Sequence, residues 1–283
     1  MDFIKTIDLI KKYHIQTKKK YGQNFLIDEN IINKIIDSSS IDKDTGVIEI
    51  GPGLGSLTNI LINKAKKVLC YEIDTNLVDI LNKEYKKDNL IIINTDFLKV
   101  DLKNDINNYL KDCKKIIVIG NLPYYITTPI LMKLFEIEEI KEYTLMMQKE
   151  VALRILAKPN TKEYSSLSII TQIKSEINKV LNVSKNVFIP KPEVESIVLN
   201  FKINPDRYNI SNLDEFEVFL RNSFSQKRKT LLNNLYTSYN INKEELIKFL
   251  NLNNYNINIR AEEISINDFI NLFNKFKGTY TNY

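Results

Sequence analysis

Residues 119–129 read I-G-N-L-P-Y-Y-I-T-T-P, and the rest of the chain is organised around them. The apolar run before them, Ile116 to Ile119, is rich in β-branched residues and predicts a buried strand. Gly120 ends this strand at a point where a side chain would obstruct a close approach. Asn121 therefore falls at the carboxyl end of a strand, which is where open α/β sheets bind ligands.

The Asn-Leu-Pro-Tyr sequence at 121–124 suits an exocyclic amine on an aromatic base. The side-chain carbonyl of Asn121 and the backbone carbonyl of Leu122 can each accept one N–H, while Pro123 has a fixed φ and no competing donor. The ring of Tyr124 can stack on the base. The same residues also fit a rigid proline turn with a half-buried aromatic pair, so the decision depends on the rest of the chain.

Bulk properties describe an ordinary globular protein. The chain has 283 residues, 43% hydrophobic and 27% charged, which suits one large and one small domain. The two cysteines, Cys70 and Cys113, have no histidine nearby and predict neither a zinc site nor a disulfide. The single histidine, His14, argues against a His-dependent triad. No membrane span or signal peptide is recognisable, so we expect a cytoplasmic protein. Because the cysteines and the histidine give no ligand spacing, we expect no metal.

The placement of charge is more informative than the net value of +5. Residues 1–20 contain six lysines and two aspartates, and residues 221–229 contain four basic residues and no acidic one, so each segment carries +4. Two such segments suit a polyanion such as nucleic acid, although either also fits a solvated surface.

The N-terminal segment combines a short helix with a basic arm. Apolar residues at helical spacing over 3–12 predict an amphipathic helix that docks on the main domain. Residues 18–26 are basic, then flexible, then polar and aromatic, so they can fold over a bound cofactor and meet phosphates. Asp28 is placed to cap the next helix.

A glycine turn follows the first buried strand, 47–50. Its G-x-G-x-G spacing at 51–55 lets backbone N–H groups approach a ligand, and it includes Gly51 and Gly53 as candidate cofactor-binding residues. Ser56 stands where a dinucleotide fingerprint has its third glycine, and no G-K-[ST] follows, so a P-loop is excluded. Glu49 before the turn would repel a pyrophosphate but suits a cationic ligand such as S-adenosylmethionine.

Carboxylates end the next two predicted strands. Glu72 lies 21 residues after Gly51, the position from which an acid accepts hydrogen bonds from a ribose diol. Asp74 suits the N-cap of a helix over 75–86. Asp96 can accept the amino group of an adenine, with a turn-forming role as the alternative. Five βα units in order predict a parallel sheet with all of these loops on one edge.

The second half of the chain predicts an antiparallel sheet edge and a helical domain. Strands near 167–173 and 194–203 are expected to pair antiparallel. Between them, Phe188 can cover a base opposite Tyr124, or it can be an ordinary hydrophobic anchor. A polar linker near 204–212 divides a cofactor-binding domain, 1–210, from a small all-helical RNA-binding domain, 211–283.

With these residues assembled, the chain resembles the bacterial small-subunit (16S) ribosomal RNA adenine N6,N6-dimethyltransferases along its whole length. The motifs that carry the resemblance are G-Q-N-F-L at 22–26, E-I-G-P-G-L-G at 49–55, E-I-D at 72–74, N-L-P-Y-Y-I-T-T-P at 121–129, Q-K-E-V-A at 148–152, F-I-P-K-P-x-V-x-S at 188–196 and F-S-Q-K-R-K-T-L-L-N-N-L at 224–235. Such a set in this order is highly specific.

The resemblance implies a Rossmann-like class I methyltransferase fold, S-adenosylmethionine as cofactor, and small-subunit ribosomal RNA in the small ribosomal subunit as partner. We also expect the protein to be a monomer. It implies a target-adenine site formed by Asn121, Leu122 and Tyr124. Carried over position by position, it implies cofactor contacts by Asn24, Leu26, Gly51, Glu72, Asp96 and Asn121.

Two other functions stay open at this point. Erythromycin-resistance methylases, which act on large-subunit ribosomal RNA, share nearly every motif, although N-L-P-Y at 121–124 and the run at 224–235 favour the small-subunit enzymes. A non-catalytic ribosome-assembly scaffold could keep the same fold, but the intact Asn121 and Tyr124 argue against a loss of catalysis. DNA adenine methylases use an Asn-Pro-Pro-aromatic motif, in which Leu122 of this chain would be proline.

Overall fold

The computed structural model describes residues 6–18, 21–204 and 207–280. Contacts divide the chain into two compact units. The first contains Met1–Ala152 and Ile177–Ile203, and the second contains Leu153–Glu176 and Asn204–Tyr283. The second unit thus includes a stretch, 153–176, that lies before the predicted domain boundary at 210. In the described part of the chain, no helix has the length and apolar character needed to span a membrane.

Nine strands are present in the described residues. Their bounds are β1 Phe25–Leu26, β2 Thr45–Ile50, β3 Lys67–Glu72, β4 Leu90–Asn94, β5 Lys115–Asn121, β6 Ile140–Gln148, β7 Ser175–Val183, β8 Phe188–Ile189 and β9 Ser196–Ile203. Seven of them form one sheet in the order β4-β3-β2-β5-β6-β9-β7. The pairs from β4 to β6 are all parallel, and β9 runs antiparallel to β6. The predicted α/β class, with a mostly parallel sheet and an antiparallel strand near its edge, is confirmed.

Helices connect the parallel strands as the periodicity predicts. Those before β9 are α1 Thr6–Lys12, α2 Glu29–Asp37, α3 Thr58–Lys64, α4 Thr75–Glu84, α5 Leu102–Asp105, α6 Thr127–Leu134, α7 Lys149–Leu156 and α8 Ser166–Lys174. Asp28 and Asp74 cap α2 and α4 through their side chains, as predicted. The part of the predicted N-terminal helix before Thr6, and Lys19 and Lys20 of the basic arm, lie outside the described residues.

The centre of the sheet is almost fully buried, and its register aligns the strand ends. Ile50 pairs with Tyr71 on one side and with Gly120 on the other, so β2, β3 and β5 end at the same edge. A Cβ at position 120 would lie 2.9 Å from the carbonyl oxygen of Ile50. The close approach predicted for Gly120 is therefore present, and it lies between neighbouring strands.

The predicted strand near 167–173 is wrong, because these residues form α8. Ile169, Ile170 and Ile173 are buried at helical spacing, and the side chain and backbone of Ser165 exchange capping interactions with Ser168 at the start of the helix. The β-branched composition of this segment suggested a strand, but the i, i+1, i+4 placement of its isoleucines fits one face of a helix. The strand next to β9 is instead β7, which begins directly after α8.

The second unit is helical. Besides α8, it contains α9 Leu213–Ser223, α10 Leu231–Tyr239, α11 Lys243–Leu252 and α12 Ile266–Thr279. Its core is aromatic: the Phe219 ring lies 5.7 Å from that of Phe273 and 5.1 Å from that of Phe276, between centroids. A mostly buried ion pair, Lys174 with Glu217 at 2.8 Å, joins α8 to α9. This pair links α8 to the helices of the second unit.

Candidate active site at the carboxyl edge of the sheet

A cleft opens at the carboxyl ends of the parallel strands. Its walls come from the arm segment, defined here as residues 21–26, and from the residues that follow β2, β3, β4 and β5. The predicted site residues that line it are Asn24, Gly51, Gly53, Glu72, Asp96, Asn121, Leu122 and Tyr124. The structure thus brings together eight of the ten predicted site residues, although they span almost one hundred positions of sequence.

The side-chain amide of Asn121 is held by the arm segment. Its Nδ2 donates a hydrogen bond to the backbone carbonyl of Asn24 at 3.0 Å. The Asn24 side chain in turn donates to the carbonyl of Gly22 at 3.0 Å, which stabilises the local turn. Because Nδ2 is committed to this bond, Oδ1 of Asn121 is left as an acceptor for a ligand in the cleft.

The backbone after Asn121 provides a second acceptor. The N–H of Leu122 donates to the carbonyl of Met146 at 3.0 Å, which fixes this peptide to β6. The Leu122 carbonyl accepts no hydrogen bond from the described residues. Pro123, with φ of −58°, starts a single 3-10 turn, Tyr124–Ile126, that leads into α6. The polar groups expected from the Asn-Leu-Pro-Tyr sequence therefore occur together at the cleft.

Two tyrosines extend the cleft beyond Pro123. The hydroxyl of Tyr124 is hydrogen-bonded to Oγ of Ser196 at 2.9 Å, and Ser196 is fully buried at the start of β9. Burial raises the pKa of Tyr124, so the phenol stays neutral. The neighbouring Tyr125 is 60% exposed and also lines the cleft. The anchored ring and the exposed ring together offer flat surfaces to an aromatic ligand.

The glycine turn and Glu72 also line the cleft. Gly51 and Gly53 have φ of +66° and +60°, a region that favours glycine. The N–H of Gly53 donates to Oε2 of Glu72 at 3.1 Å, and the N–H of Asp74 donates to Oε1 at 2.9 Å. Burial raises the pKa of Glu72 despite these two donors. The carboxylate is therefore oriented by backbone groups on both sides.

Glu49 is a second buried acid, behind the glycine turn. It is 1% exposed and accepts hydrogen bonds from the Thr58 hydroxyl at 2.6 Å and from Sγ of Cys70 at 3.6 Å. Burial raises its pKa to about 7. A side chain that is close to half-protonated near neutrality is a weaker partner for a cationic ligand than the sequence suggested.

Asp96 has the turn-forming role that the sequence offered as one of two alternatives, and its role toward a ligand stays a prediction. Its Oδ1 accepts a hydrogen bond from the N–H of Leu98 at 3.0 Å and caps the 3-10 turn Phe97–Lys99. The residue also lines the cleft beside Phe97 and Leu98. The cap fixes the carboxylate in position, where it can accept a hydrogen bond from a ligand.

Two predicted site residues do not line the main cleft. Leu26 is 2% exposed and borders a smaller adjoining pocket that also includes Asn24, Gly51 and Asn121. Phe188 is 3% exposed, pairs with Leu26 in the two-stranded ladder of β1 and β8, and belongs to the hydrophobic core. The structure therefore corrects the proposed placement of Phe188 over a base, because its ring is packed inside the domain as a hydrophobic anchor.

Sequence reasoning missed three residues that support this site. Ser196 is hydrogen-bonded to the hydroxyl of Tyr124. Gln23 of the arm segment and Lys18, which lies shortly before it, both donate hydrogen bonds to Asp74. The sequence predicts Asp74 only as a helix cap. The motifs around Gly22 and Ser196 indicated that these segments are functionally important. They could not indicate which residues the side chains in them would contact.

The sheet order, the cleft at its carboxyl edge and the Asn-Leu-Pro-Tyr turn define the class of protein: a Rossmann-like methyltransferase. Comparison with known protein families identifies one family within this class. The family model for "Ribosomal RNA adenine dimethylase" matches residues 14–277. The chain belongs to this family.

Relatives and solved structures agree with the assignment. The chain is 46% identical over 280 residues to ribosomal RNA small subunit methyltransferase A of Staphylococcus aureus (strain MRSA252), covering 96% of this chain and 94% of the relative. It is similar to a dimethyladenosine transferase from Plasmodium falciparum with a TM-score of 0.75 and 29% identity, over 90% of this chain and 98% of that one. The 23S rRNA methyltransferase ErmE shares the fold, with a TM-score of 0.66 and 24% identity over 89% of this chain and 99% of that one.

Proposed function

We propose that this chain transfers methyl groups from S-adenosylmethionine to the N6 amine of adenines in small-subunit ribosomal RNA, giving N6,N6-dimethyladenosine during ribosome biogenesis in the cytoplasm. The observation that carries the proposal is the hydrogen bond from Nδ2 of Asn121 to the carbonyl of Asn24. This bond leaves Oδ1 of Asn121 as an acceptor, and together with the carbonyl of the next residue, Leu122, it matches the two N–H groups of an adenine amine.

The residues present fit S-adenosylmethionine. The Glu72 carboxylate, oriented by two backbone N–H groups, suits a ribose diol, and Asp96 suits the exocyclic amine of the cofactor's adenine. Gly51 and Gly53 allow the backbone to approach the ligand closely. When bound, S-adenosylmethionine supplies an electrophilic methyl group on a sulfonium. In the described part of the chain, no group of three or more His, Cys, Asp or Glu side chains is placed to hold a metal ion.

The target adenine would be held by the residues after β5. A base that leaves its stack can lie on the Tyr124 ring, whose hydroxyl is fixed by Ser196. Stacking of this kind contributes about 1–3 kcal/mol per base, which offsets part of the cost of extrusion. The N6 amine then lies beside Asn121 and Leu122, and both residues also line the cleft proposed for the cofactor.

Catalysis would rest mainly on orientation. The N6 lone pair of adenine is delocalised into the ring, and two carbonyl acceptors on its N–H groups favour the pyramidal form that attacks a methyl carbon. They also stabilise the positive charge that develops on nitrogen, and this charge would be relieved when the methylated amine loses one proton to water. Positioning of this kind supplies about 7–11 kcal/mol in well-oriented reactions, so a strong general base is not required. In the second round one N–H remains, and one of the two carbonyls is released to make room for the first methyl group.

Methyl transfer to isolated subunits tests the proposal. The protein is incubated with labelled S-adenosylmethionine and, separately, with small and large ribosomal subunits that lack the modification. We expect label on adenine N6 of the small-subunit RNA, with two methyl groups per modified base. Label confined to the large subunit would instead support the activity of the 23S enzymes, and cofactor binding without transfer to either subunit would support a scaffold.

A further inference from the structure

Asp74, an acidic residue that the sequence did not assign to the reaction, connects the arm segment to the start of α4. Asp74 is 3% exposed and caps α4. Its Oδ1 also accepts a hydrogen bond from the Lys18 ammonium at 2.7 Å, and its Oδ2 accepts one from Nε2 of Gln23 at 2.8 Å. We call Lys18, Gln23 and Asp74 the latch.

The latch is internally cross-linked. The backbone N–H of Lys18 donates to Oε1 of Gln23 at 2.8 Å, so the amide of Gln23 is bound at both ends. Burial raises the pKa of Asp74, but the bonds from Lys18 and Gln23 outweigh it, and the pKa lies below its usual value. Asp74 is therefore a charged acceptor in the folded protein, and charge-assisted hydrogen bonds of this kind are the strong ones.

The latch is linked to two residues of the proposed site, Asn121 and Glu72. Gln23 directly precedes Asn24, whose carbonyl holds the amide of Asn121 at 3.0 Å. On the other side, the N–H of Asp74 donates to Oε1 of Glu72 at 2.9 Å. The same carboxylate residue is thus bonded to the proposed ribose acceptor and to the segment that orients the proposed catalytic amide.

We propose that Asp74 is a positioning residue for methyl transfer: through Gln23 and Lys18 it holds the Asn24 carbonyl where that carbonyl fixes the amide of Asn121 in its reactive orientation. This inference rests on the proposed function and deepens it. If the latch opens, the Asn24 carbonyl moves, and Oδ1 of Asn121 is no longer held toward the amine. The methyl acceptor is then misoriented even when the cofactor site is full.

An exchange of donor and acceptor across the latch is the sharpest test. Gln23→Glu places a carboxylate against the Asp74 carboxylate, where the wild-type contact is 2.8 Å. Adding Asp74→Asn restores a donor–acceptor pair, and asparagine caps a helix as well as aspartate does. We expect Gln23→Glu to lower kcat at saturating S-adenosylmethionine by about 10-fold to 100-fold, the scale of a 1 Å misplacement, and the double variant to recover most of it.

A matched control uses a different contact between the N-terminal region and the body of the same unit. Lys12 pairs with Glu84 at 2.6 Å, on the part of α4 farthest from Asp74. Glu84→Gln breaks this pair without touching Asn24, and we expect an unchanged kcat. A full recovery of the Gln23→Glu rate at saturating cofactor would overturn the proposal, because the latch would then act only on cofactor affinity. A double variant no faster than Gln23→Glu would also overturn it.

Hydrogen–deuterium exchange separates a failure of this inference from a failure of the proposed function. Exchange of the 21–26 amides should rise in Gln23→Glu and return toward wild type in the double variant. This readout does not require turnover. A wild-type chain that methylates no ribosomal subunit would reject the proposed function, whereas unchanged exchange in Gln23→Glu would reject the latch.

Discussion

The Nδ2 of Asn121 lies 3.0 Å from the carbonyl oxygen of Asn24, and this bond determines which atom of the amide is available to a substrate. Asn121→Asp places a second acceptor against the Asn24 carbonyl, and Asn121→Ala removes the acceptor altogether. We expect both variants to lower kcat by at least about 100-fold, the effect of removing one group that stabilises developing charge. RNA binding should largely persist, because the groups that bind phosphate are unaffected.

Single-turnover methylation and filter binding of RNA, measured on the same preparations, check this prediction. A variant at Asn121 with wild-type turnover would show that the amide has no part in the reaction.

The anchored ring of Tyr124 gives a second prediction. Tyr124→Phe keeps the stacking surface and loses only the bond to Ser196, so turnover should fall by no more than about fivefold, or roughly 1 kcal/mol for one hydrogen bond. Tyr124→Ala removes the surface and should weaken binding of the extruded base by about 1–3 kcal/mol. Ser196→Ala should resemble Tyr124→Phe.

Fluorescence of 2-aminopurine at the target position reports this stacking directly. We expect quenching with wild type and Tyr124→Phe, and strong emission with Tyr124→Ala. Equal quenching in all three proteins would mean that another residue receives the base.

We predict that Glu72 contributes to the binding affinity for S-adenosylmethionine. Glu72→Gln loses the charged acceptor for the ribose and puts an amide donor against the N–H groups of Gly53 and Asp74. The dissociation constant for S-adenosylmethionine should rise by about 10-fold to 150-fold, since hydrogen bonds to a charged group contribute about 1.5–3 kcal/mol. Calorimetric titration measures this, with Asp79→Asn on the exposed face of α4 as the control for loss of one negative charge. Equal affinity in wild type and Glu72→Gln would exclude a cofactor role for this carboxylate.

Much of this site could be predicted because its residues lie in a few short segments, each of which has a recognisable sequence pattern. Asn121, Leu122 and Tyr124 share one turn, and Gly51 and Glu72 each follow a strand whose apolar run is plain. The parallel order of the strands then requires that their carboxyl ends share an edge. The alternation of strand and helix is therefore enough to bring these residues together.

The parts that could not be predicted depend on contacts between distant residues. Phe188 and Tyr124 are both aromatic residues within two positions of a proline, and only burial distinguishes a core anchor from a cleft wall. The bonds of Asp74 to Lys18 and Gln23 cross more than fifty positions, and a helix cap fully explains an aspartate at that place. The prediction for 167–173 is wrong because its isoleucines favour strands by composition, while packing in the second unit selects a helix.

The basic segment of the second unit should contribute to RNA affinity through phosphates. Lys227 and Arg228 are exposed, between α9 and α10. Replacing both by glutamine should weaken binding of small-subunit RNA and reduce the slope of log K against log salt by about 0.7–0.9 for each phosphate that is no longer neutralised. The matched control is Lys243→Gln with Lys248→Gln, which removes two exposed charges from α11. A slope reduced equally by both pairs would indicate a general charge effect and no defined phosphate site.

The pKa of Glu49, raised to about 7 by burial, makes the stability of the fold depend on pH. The folded pKa lies above the ordinary value of 4.5, so the stabilising, protonated state is complete below that value and is lost as pH rises through about 7.

Glu49→Gln keeps an acceptor for the Thr58 hydroxyl and cannot ionise. It should match wild type near about pH 4.5 and become progressively more stable than wild type up to about pH 8, by on the order of 3 kcal/mol at about 1.36 kcal/mol for each unit of pKa. Thermal unfolding across this range measures the difference, with Glu139→Gln as the exposed control. A difference between Glu49→Gln and wild type that stays constant with pH would mean that Glu49 does not titrate in this window.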